Sequence, residues 1–313
     1  MNTVRLRAID AKTERAYVNL NLMSVTFLAE NERLGKKVLF GCGARKDFEN
    51  FSPVVKARLN LNDHHDAPEK YPSSAENVVG PEFENNFMPG YPTDQKPFSS
   101  TPTLHQSYRD IREIFFDKLF KIGNFRAHDY FGDGSFYLLN TPSHAIGHMC
   151  GLDRTTPMTF VFLGDNICHF EGSFRPSPTI PLPGPIPASH LDSYFPIPCP
   201  CSISSVAHPA GPKSEESKTS PFFEVTLFAQ STYLDRVEAA KSIKKLQRFD
   251  ENTNVFVCID HDSTLLKKQE KAQWGWLNEL PRDGKPGPLM LVTGVWKNGG
   301  LVRNFTELTA SIY

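Results

Sequence analysis

The chain has 313 residues, a formal net charge of -1 at pH 7, 39% hydrophobic residues and 22% charged residues. That length suffices to bury a large core, and the balanced charge excludes nucleic-acid or membrane-surface binding driven by a basic field. It carries no apolar run long enough to span a bilayer.

The opening Met1-Asn-Thr-Val-Arg-Leu-Arg7 has no secretory h-region, so cytoplasmic residence is expected. Residues 4–9 and 22–29 read as strands, followed by Lys37-Val-Leu-Phe40 and the turn Gly41-Cys-Gly43. Val54 to Leu61 makes a poor strand. Leu104 to Phe120 carries Ile111, Ile114 and Phe115, and its later part from Ile114 reads as strand or helix. Phe125 to Phe131 alternates toward Gly132-Asp-Gly134 and returns as Ser135 to Leu139, which predicts a hairpin.

Three apolar runs then end in polar residues. Phe136-Tyr-Leu-Leu139 leads to Thr141-Pro-Ser-His144, Phe160-Val-Phe-Leu163 to Gly164-Asp165, and Val255-Phe-Val-Cys-Ile259 to Asp260-His261-Asp262. Such runs read as buried strands, so His144, Asp165 and His261 are expected where strands give way to loops, the usual place for a site. Imidazoles and a carboxylate at strand ends suit zinc or another borderline divalent ion.

Residues 171–222 are rich in proline, serine and glycine and are too long for an ordinary connection. Phe174, Leu182, Ile186, Tyr194, Phe195 and Ile197 give them apolar anchors, which favours a partly ordered flap over the site; a loose surface insertion is the other reading. A helix is predicted from Asp235, which can cap it with Glu238 completing a box, and Val237, Ala240, Ile243 and Leu246 form its apolar stripe. Lys267 to Leu280 reads as a further helix, in which Trp274 and Trp276 pack. Cys42, Cys150, Cys168 and Cys258 lie in or beside apolar segments and read as reduced core residues, while Cys199-Pro-Cys201 lacks the partner pair of a zinc ribbon. No Gly-x-Ser-x-Gly elbow and no glycine-rich phosphate loop occurs.

Thr141-Pro-Ser-His-Ala-Ile-Gly-His148, with Gly164-Asp165 and the late strand running to His261, resembles the metallo-beta-lactamase fold family. The family pattern is Thr-Pro-Gly-His-Ala-x-Gly-His, so Ser143 replaces a glycine. Val79-Gly-Pro81, Pro89-Gly-Tyr91 and Phe131-Gly-Asp-Gly134 resemble its lactonase-like branch, and the likeness runs from about residue 5 to 265. It implies an αββα sandwich, an α+β fold of two face-to-face sheets with helices outside. A single domain over residues 1–313 is expected, with a C-terminal extension from about residue 266.

The resemblance also implies the roles. His144 would complete a first metal site, Asp165 would bridge, and His261 would complete a second. Up to two Zn2+ ions are expected, with metal-bound hydroxide opening a small lactone, lactam, ester or thioester. A lactam on a flat ring is one variant. His148, His169 and His128 read as supporting or structural residues rather than ligands. No nucleic-acid or membrane partner is expected, and the oligomeric state is left open.

One motif departs from the family pattern. Its His-x-His-x-Asp-His segment is matched by Arg58-Leu-Asn-Leu-Asn-Asp-His-His-Asp66, which places Asn60 and Asn62 where two histidines belong. His64 and His65 are then candidate metal ligands and Asp66 a candidate catalytic carboxylate. Three readings stay open: a working rearranged cluster of Asp63, His64, His65 and Asp66, a degenerate paralogue that binds a ligand or partner, or a chain translated from an imperfect gene model or splice form.

Overall fold

The computed structural model describes residues 1–10, 25–41, 71–88, 110–142, 144–164, 173–182, 208–211, 214–226 and 233–259, with short pieces at 185–186, 197, 199–200 and 310–312. The predicted helix over Lys267 to Leu280, the segment Val54 to Leu61, and Cys42, Cys168 and Cys201 lie outside them.

Two six-stranded sheets form the core of the fold. In chain order the first comprises β1 (Arg5–Asp10), β2 (Val25–Asn31), β3 (Lys36–Phe40) and β4 (Glu76–Val79). A short helix α1 (Phe83–Phe87) follows, then β5 (Ile111–Glu113). The second sheet contains β6 (Lys121–Ile122), β7 (Phe125–Asp129), β8 (Phe136–Asn140), β9 (Met149–Arg154) and β10 (Phe160–Gly164). Two short strands, β11 (Pro185–Ile186) and β12 (Cys199–Pro200), pair with each other. Helices α2 (Glu216–Thr219) and α3 (Arg236–Asp250) precede β13 (Val255–Ile259), and β14 (Ala310–Ile312) closes the series. The first sheet runs β1-β2-β3-β14-β4-β5 and the second β13-β10-β9-β8-β7-β6.

Side-chain alternation explains why the sheets stack. Phe27, Ala29, Val38 and Phe40 of the first sheet share one buried cluster with Phe136, Leu138, Val161, Leu163 and Cys258 of the second. Alternate residues point the other way: Leu28 and Leu39 pack with Ala75 and Tyr71 on one outer face, and Leu139, Cys150, Leu152, Phe162, Val257 and Ile259 lie under α3 on the other. Phe40 meets Phe136 edge-on at 6.4 Å between the two layers. The αββα sandwich expected from the sequence is therefore the fold observed; of its outer helical layers, the described residues include the one over the second sheet.

Helix α3 starts as predicted. Asp235 accepts a hydrogen bond from the Glu238 amide at 2.9 Å, which satisfies one otherwise orphaned donor. The Glu238 carboxylate turns to Lys241 at 3.1 Å. Of the predicted stripe, Ile243 and Leu246 are buried, with Ala239, Ser242 and Phe249 beside them, while Val237 is 62% exposed. Ser242 is a polar residue at a buried position, so the apolar pattern of the sequence marks that face only in part. The predicted hairpin is present as β7 and β8, with Asp129 accepting from the Gly132 and Gly134 amides at 3.0 and 2.8 Å. The strand expected near Ile114 lies earlier, over Ile111–Glu113, and Ile114 itself is buried just past its end.

Phe174 does anchor the start of the proline-rich stretch, but in the layer beneath α3 rather than over a site. Its neighbour Arg175 forms a buried bidentate pair with Asp250, at 2.6 and 2.5 Å, at the C-terminal end of α3. Gln247 adds a hydrogen bond to the Phe174 carbonyl at 3.2 Å. This fastening lies beside the start of β13, at the edge opposite the strand ends described next.

Candidate active site

Direction and register set the geometry of one sheet edge. β10 and β13 are parallel, and Gly164 is the register partner of Ile259. β9 runs antiparallel to both β10 and β8, so β8, β10 and β13 all point the same way. Their carboxyl ends share an edge, which in open α/β sheets is where ligands bind. Asn140 ends β8, Gly164 ends β10 and Ile259 ends β13. In sequence, Asp165 follows Gly164 directly and His261 stands two residues past Ile259.

Of the predicted ligands, His144 lies within the described residues, whereas His64, His65, Asp66, Asp165 and His261 lie outside them, as do His169, Asn60 and Asn62. Among the described residues, no group of three or more His, Cys, Asp or Glu side chains is placed to hold a metal ion.

His144 is 8% exposed and sits on a tightly closed loop. Thr141 and His148 close it: the Thr141 amide donates to the His148 carbonyl at 3.2 Å. The His148 Nδ1 approaches both the Thr141 hydroxyl, at 2.9 Å, and the Thr141 carbonyl, at 3.0 Å. A carbonyl only accepts, so Nδ1 carries a proton, and Nε2 lies on the far side of the ring. That nitrogen is buried without a hydrogen-bond partner among the described residues. The His148 ring meets His144 edge-on, 5.8 Å between centroids.

Two other parts of the molecule support this loop. From the lead-in to α3, the Leu234 amide donates to the His144 carbonyl at 3.4 Å and the Tyr233 ring meets the His144 imidazole edge-on at 5.6 Å. From the first sheet, Gly80 just past β4 packs against Gly147: a Cβ at Gly80 would lie 1.8 Å from the Gly147 carbonyl oxygen. Gly147 itself has φ +74°, a backbone region open mainly to glycine. Both glycines of Val79-Gly-Pro81 and Gly147-His148 therefore serve close backbone approach between the sheets.

Beyond this loop lies a polar cluster at the β5 and β7 strands. Arg112 bonds Glu76 at 2.9 Å and lies 5.2 Å over the Tyr130 ring. Burial, with Glu76 nearby, pushes the Tyr130 hydroxyl up to about 12, although Arg112 opposes the shift. Burial and the Arg112 charge lower the pKa of His128, against the pull of Asp129. These groups tie the two sheets together along one flank, in keeping with the structural reading of His128. Cys150 and Cys258 are buried in the core, as expected. Tyr233 carried no sequence signal of its own, because its contact with His144 is made across 89 positions of chain by tertiary packing.

Similarity to known proteins follows the same outline. No protein-family model matches the chain. It is 40% identical over 225 residues to the gamma-lactamase FDB1 of Fusarium pseudograminearum (strain CS3096), covering 71% of this chain and 52% of that one, so it spans about half the length of this relative. It is 41% identical over 188 residues to the gamma-lactamase MBL2 of Gibberella moniliformis (strain M3125 / FGSC 7600), covering 59% of this chain and 75% of the relative. Identity to the metallo-hydrolase mfmC of Annulohypoxylon moriforme is 32% over 270 residues, 74% of this chain and 68% of that protein. Among solved structures, a quorum-quenching N-acyl homoserine lactone lactonase aligns over 86% of this chain and 97% of its own, with 14% identity and a TM-score of 0.42. With two relatives above 30% identity covered over two thirds or more of their lengths, the chain belongs to the metallo-beta-lactamase superfamily.

Proposed function

We propose that the chain is a metal-dependent hydrolase that opens a small lactone, lactam or related ester or thioester. The observation that carries this reading is the shared edge of β8, β10 and β13, with Gly164 opposite Ile259 and each strand followed in sequence by a residue able to bind a metal. The fit to zinc rests on the donor set: a buried His144 imidazole braced by neighbouring rings is the ligand type zinc prefers.

In this reading His144, Asp165 and His261 hold the metal, with His64 or His65 contributing from the shortened early motif and Asp66 as a nearby carboxylate. When bound, zinc supplies an acidified water and a Lewis-acid centre for a carbonyl. The chain's own contribution is orientation. The Thr141–His148 closure and the Leu234 amide fix the backbone on which His144 sits, and the strand pairing sets the ends of β10 and β13 at Gly164 and Ile259, the residues that precede Asp165 and Asp260-His261 in sequence. Two relatives named gamma-lactamases favour a γ-lactam among the candidate substrates.

The experiment is zinc quantification on the purified chain with an assay on a γ-lactam and a γ-lactone, before and after chelation. About two equivalents of zinc with chelator-sensitive ring opening support the hydrolase. A second reading, a superfamily member that keeps the sandwich and binds a ligand or partner without turnover, is favoured by Asn60 and Asn62 in the early motif. Less than about half an equivalent of zinc, a site too sparsely filled to act as a paired centre, with no turnover of either ring would establish that reading instead.

A further inference from the structure

We infer that Tyr233 is a positioning residue for His144, coupling the orientation of that imidazole to the start of α3; this rests on the reading of His144 as a metal ligand. Two contacts from one short segment converge on His144. The Tyr233 ring meets the imidazole at 5.6 Å with an interplanar angle of 79°, and the next residue, Leu234, donates its amide to the His144 carbonyl at 3.4 Å. An edge-on pair of this kind favours one ring orientation over its rotamers, and the amide contact fixes the backbone that carries it.

The segment has its own anchor. Asp235 caps α3 through the Glu238 amide at 2.9 Å, and α3 is pinned on the second sheet by Ile243, Leu246 and Phe249. Tyr233 therefore does not float with a loop: it stands two residues before Asp235, the cap of a helix that is packed onto the strands β10 and β13. The same helix that covers those strands thus also sets the side chain at the end of β8. His148 supplies a second edge-on ring at 5.8 Å, itself held by Thr141, so the imidazole is braced both from its own loop and from a distant part of the sequence. A ligand whose orientation is fixed beforehand loses less freedom on metal binding, and removal of such support weakens metal affinity.

The test is zinc affinity of the full chain, measured by competition with a chromophoric chelator, for Tyr233→Leu, Tyr233→Phe and His144→Ala. Tyr233→Leu keeps apolar volume but removes the ring, and it is expected to weaken zinc binding about three- to tenfold, the scale of one aromatic pair. Tyr233→Phe is expected to restore wild-type affinity because the ring rather than the hydroxyl makes the contact. Thermal unfolding of the metal-free proteins accompanies each titration. A Tyr233→Leu protein that melts lower without zinc yet binds zinc like wild type would overturn the inference, and so would a Phe variant as weak as the Leu variant. His144→Ala separates the two levels: if it binds zinc as tightly as wild type, the ligand reading of His144 fails, whereas loss in His144→Ala with no change in Tyr233→Leu rejects the positioning role alone.

Discussion

Gly164 and Ile259 are register partners in adjacent parallel strands. Consequently β10 and β13, followed in sequence by Asp165 and by Asp260 and His261, end at the same level of the same sheet edge. Parallel neighbours are the arrangement in which two remote sequence segments deliver side chains to one place without any loop having to fold back.

This relationship makes Asp165 the sharpest single test. Replacing Asp165 by alanine is expected to leave the sandwich intact, because the pairing of β10 with β9 and β13 is made by residues up to Gly164. Turnover should fall by about a thousandfold or more, the effect of losing metal-assisted stabilisation of several kcal/mol. Circular dichroism with a kinetic assay checks both halves. A variant that keeps more than a tenth of wild-type turnover contradicts the bridging role.

A second test addresses the departing motif. Restoring Asn60→His together with Asn62→His should tighten zinc binding by about tenfold or more if these positions face the site, since neutral imidazole is a far better zinc ligand than an amide oxygen. Isothermal titration of the double variant against wild type reads this directly. Unchanged affinity would mean that the early motif is in another register or that a segment is missing from it.

The sheets were legible in the sequence because their signal is local. Phe136 to Leu139 and Phe160 to Gly164 are unbroken apolar runs and Val25 to Ala29 is interrupted only by Thr26, and the pattern of burial follows them. The Asp235 cap and the hairpin at Gly132-Asp-Gly134 were equally plain, since both are built from side chains within a few residues of the groups they satisfy. What was not legible depends on packing between distant segments. On α3, Ile243 and Leu246 were read correctly, but Ser242 occupies a buried position with no apolar signal and Val237, expected inside, is outside. The destination of Phe174 depended on Arg175 pairing with Asp250 seventy-five positions away, which no apolar pattern encodes. At the site, the TPSH segment marked His144 itself, but the Tyr233 ring against it had no motif to announce it.

The contact of Gly80 with Gly147 gives a stability prediction that reaches the site. Gly80→Ala would place a Cβ 1.8 Å from a backbone carbonyl oxygen and 2.6 Å from its carbon. Backbone cannot swing aside as a side-chain tip can, so the loop carrying His144 must shift. The expected cost is about 2–3 kcal/mol in urea unfolding, an overpacking penalty, together with weaker zinc binding. Gly35→Ala is the control: its φ is +62° but its Cβ would meet nothing within 4 Å, so only the backbone preference of roughly 1 kcal/mol is lost, with zinc binding unchanged. Equal costs at the two positions would show that the close approach between sheets is unimportant.

Asp153 predicts how stability depends on pH. It lies fully buried on β9, and neither carboxyl oxygen has a hydrogen-bond partner among the described residues. Burial alone raises its pKa well above the ordinary value of 3.8, so the folded protein keeps this proton where the unfolded chain releases it. The sign follows from linkage: the folded state binds more protons, hence stability is full below the unfolded pKa and falls as pH rises toward the folded one. One linked proton gives a slope of about 1.4 kcal/mol per pH unit in that window. Asp153→Asn removes the titration while keeping the shape, so its unfolding free energy should lose this slope, and the variant should gain on wild type steadily from about pH 4 upward. The absolute offset between the two depends on how the amide is accommodated, but the slope does not. Urea unfolding at pH values from about 4.5 to 8 measures it; parallel curves for the two proteins would mean that Asp153 ionises in the folded state much as it does in water.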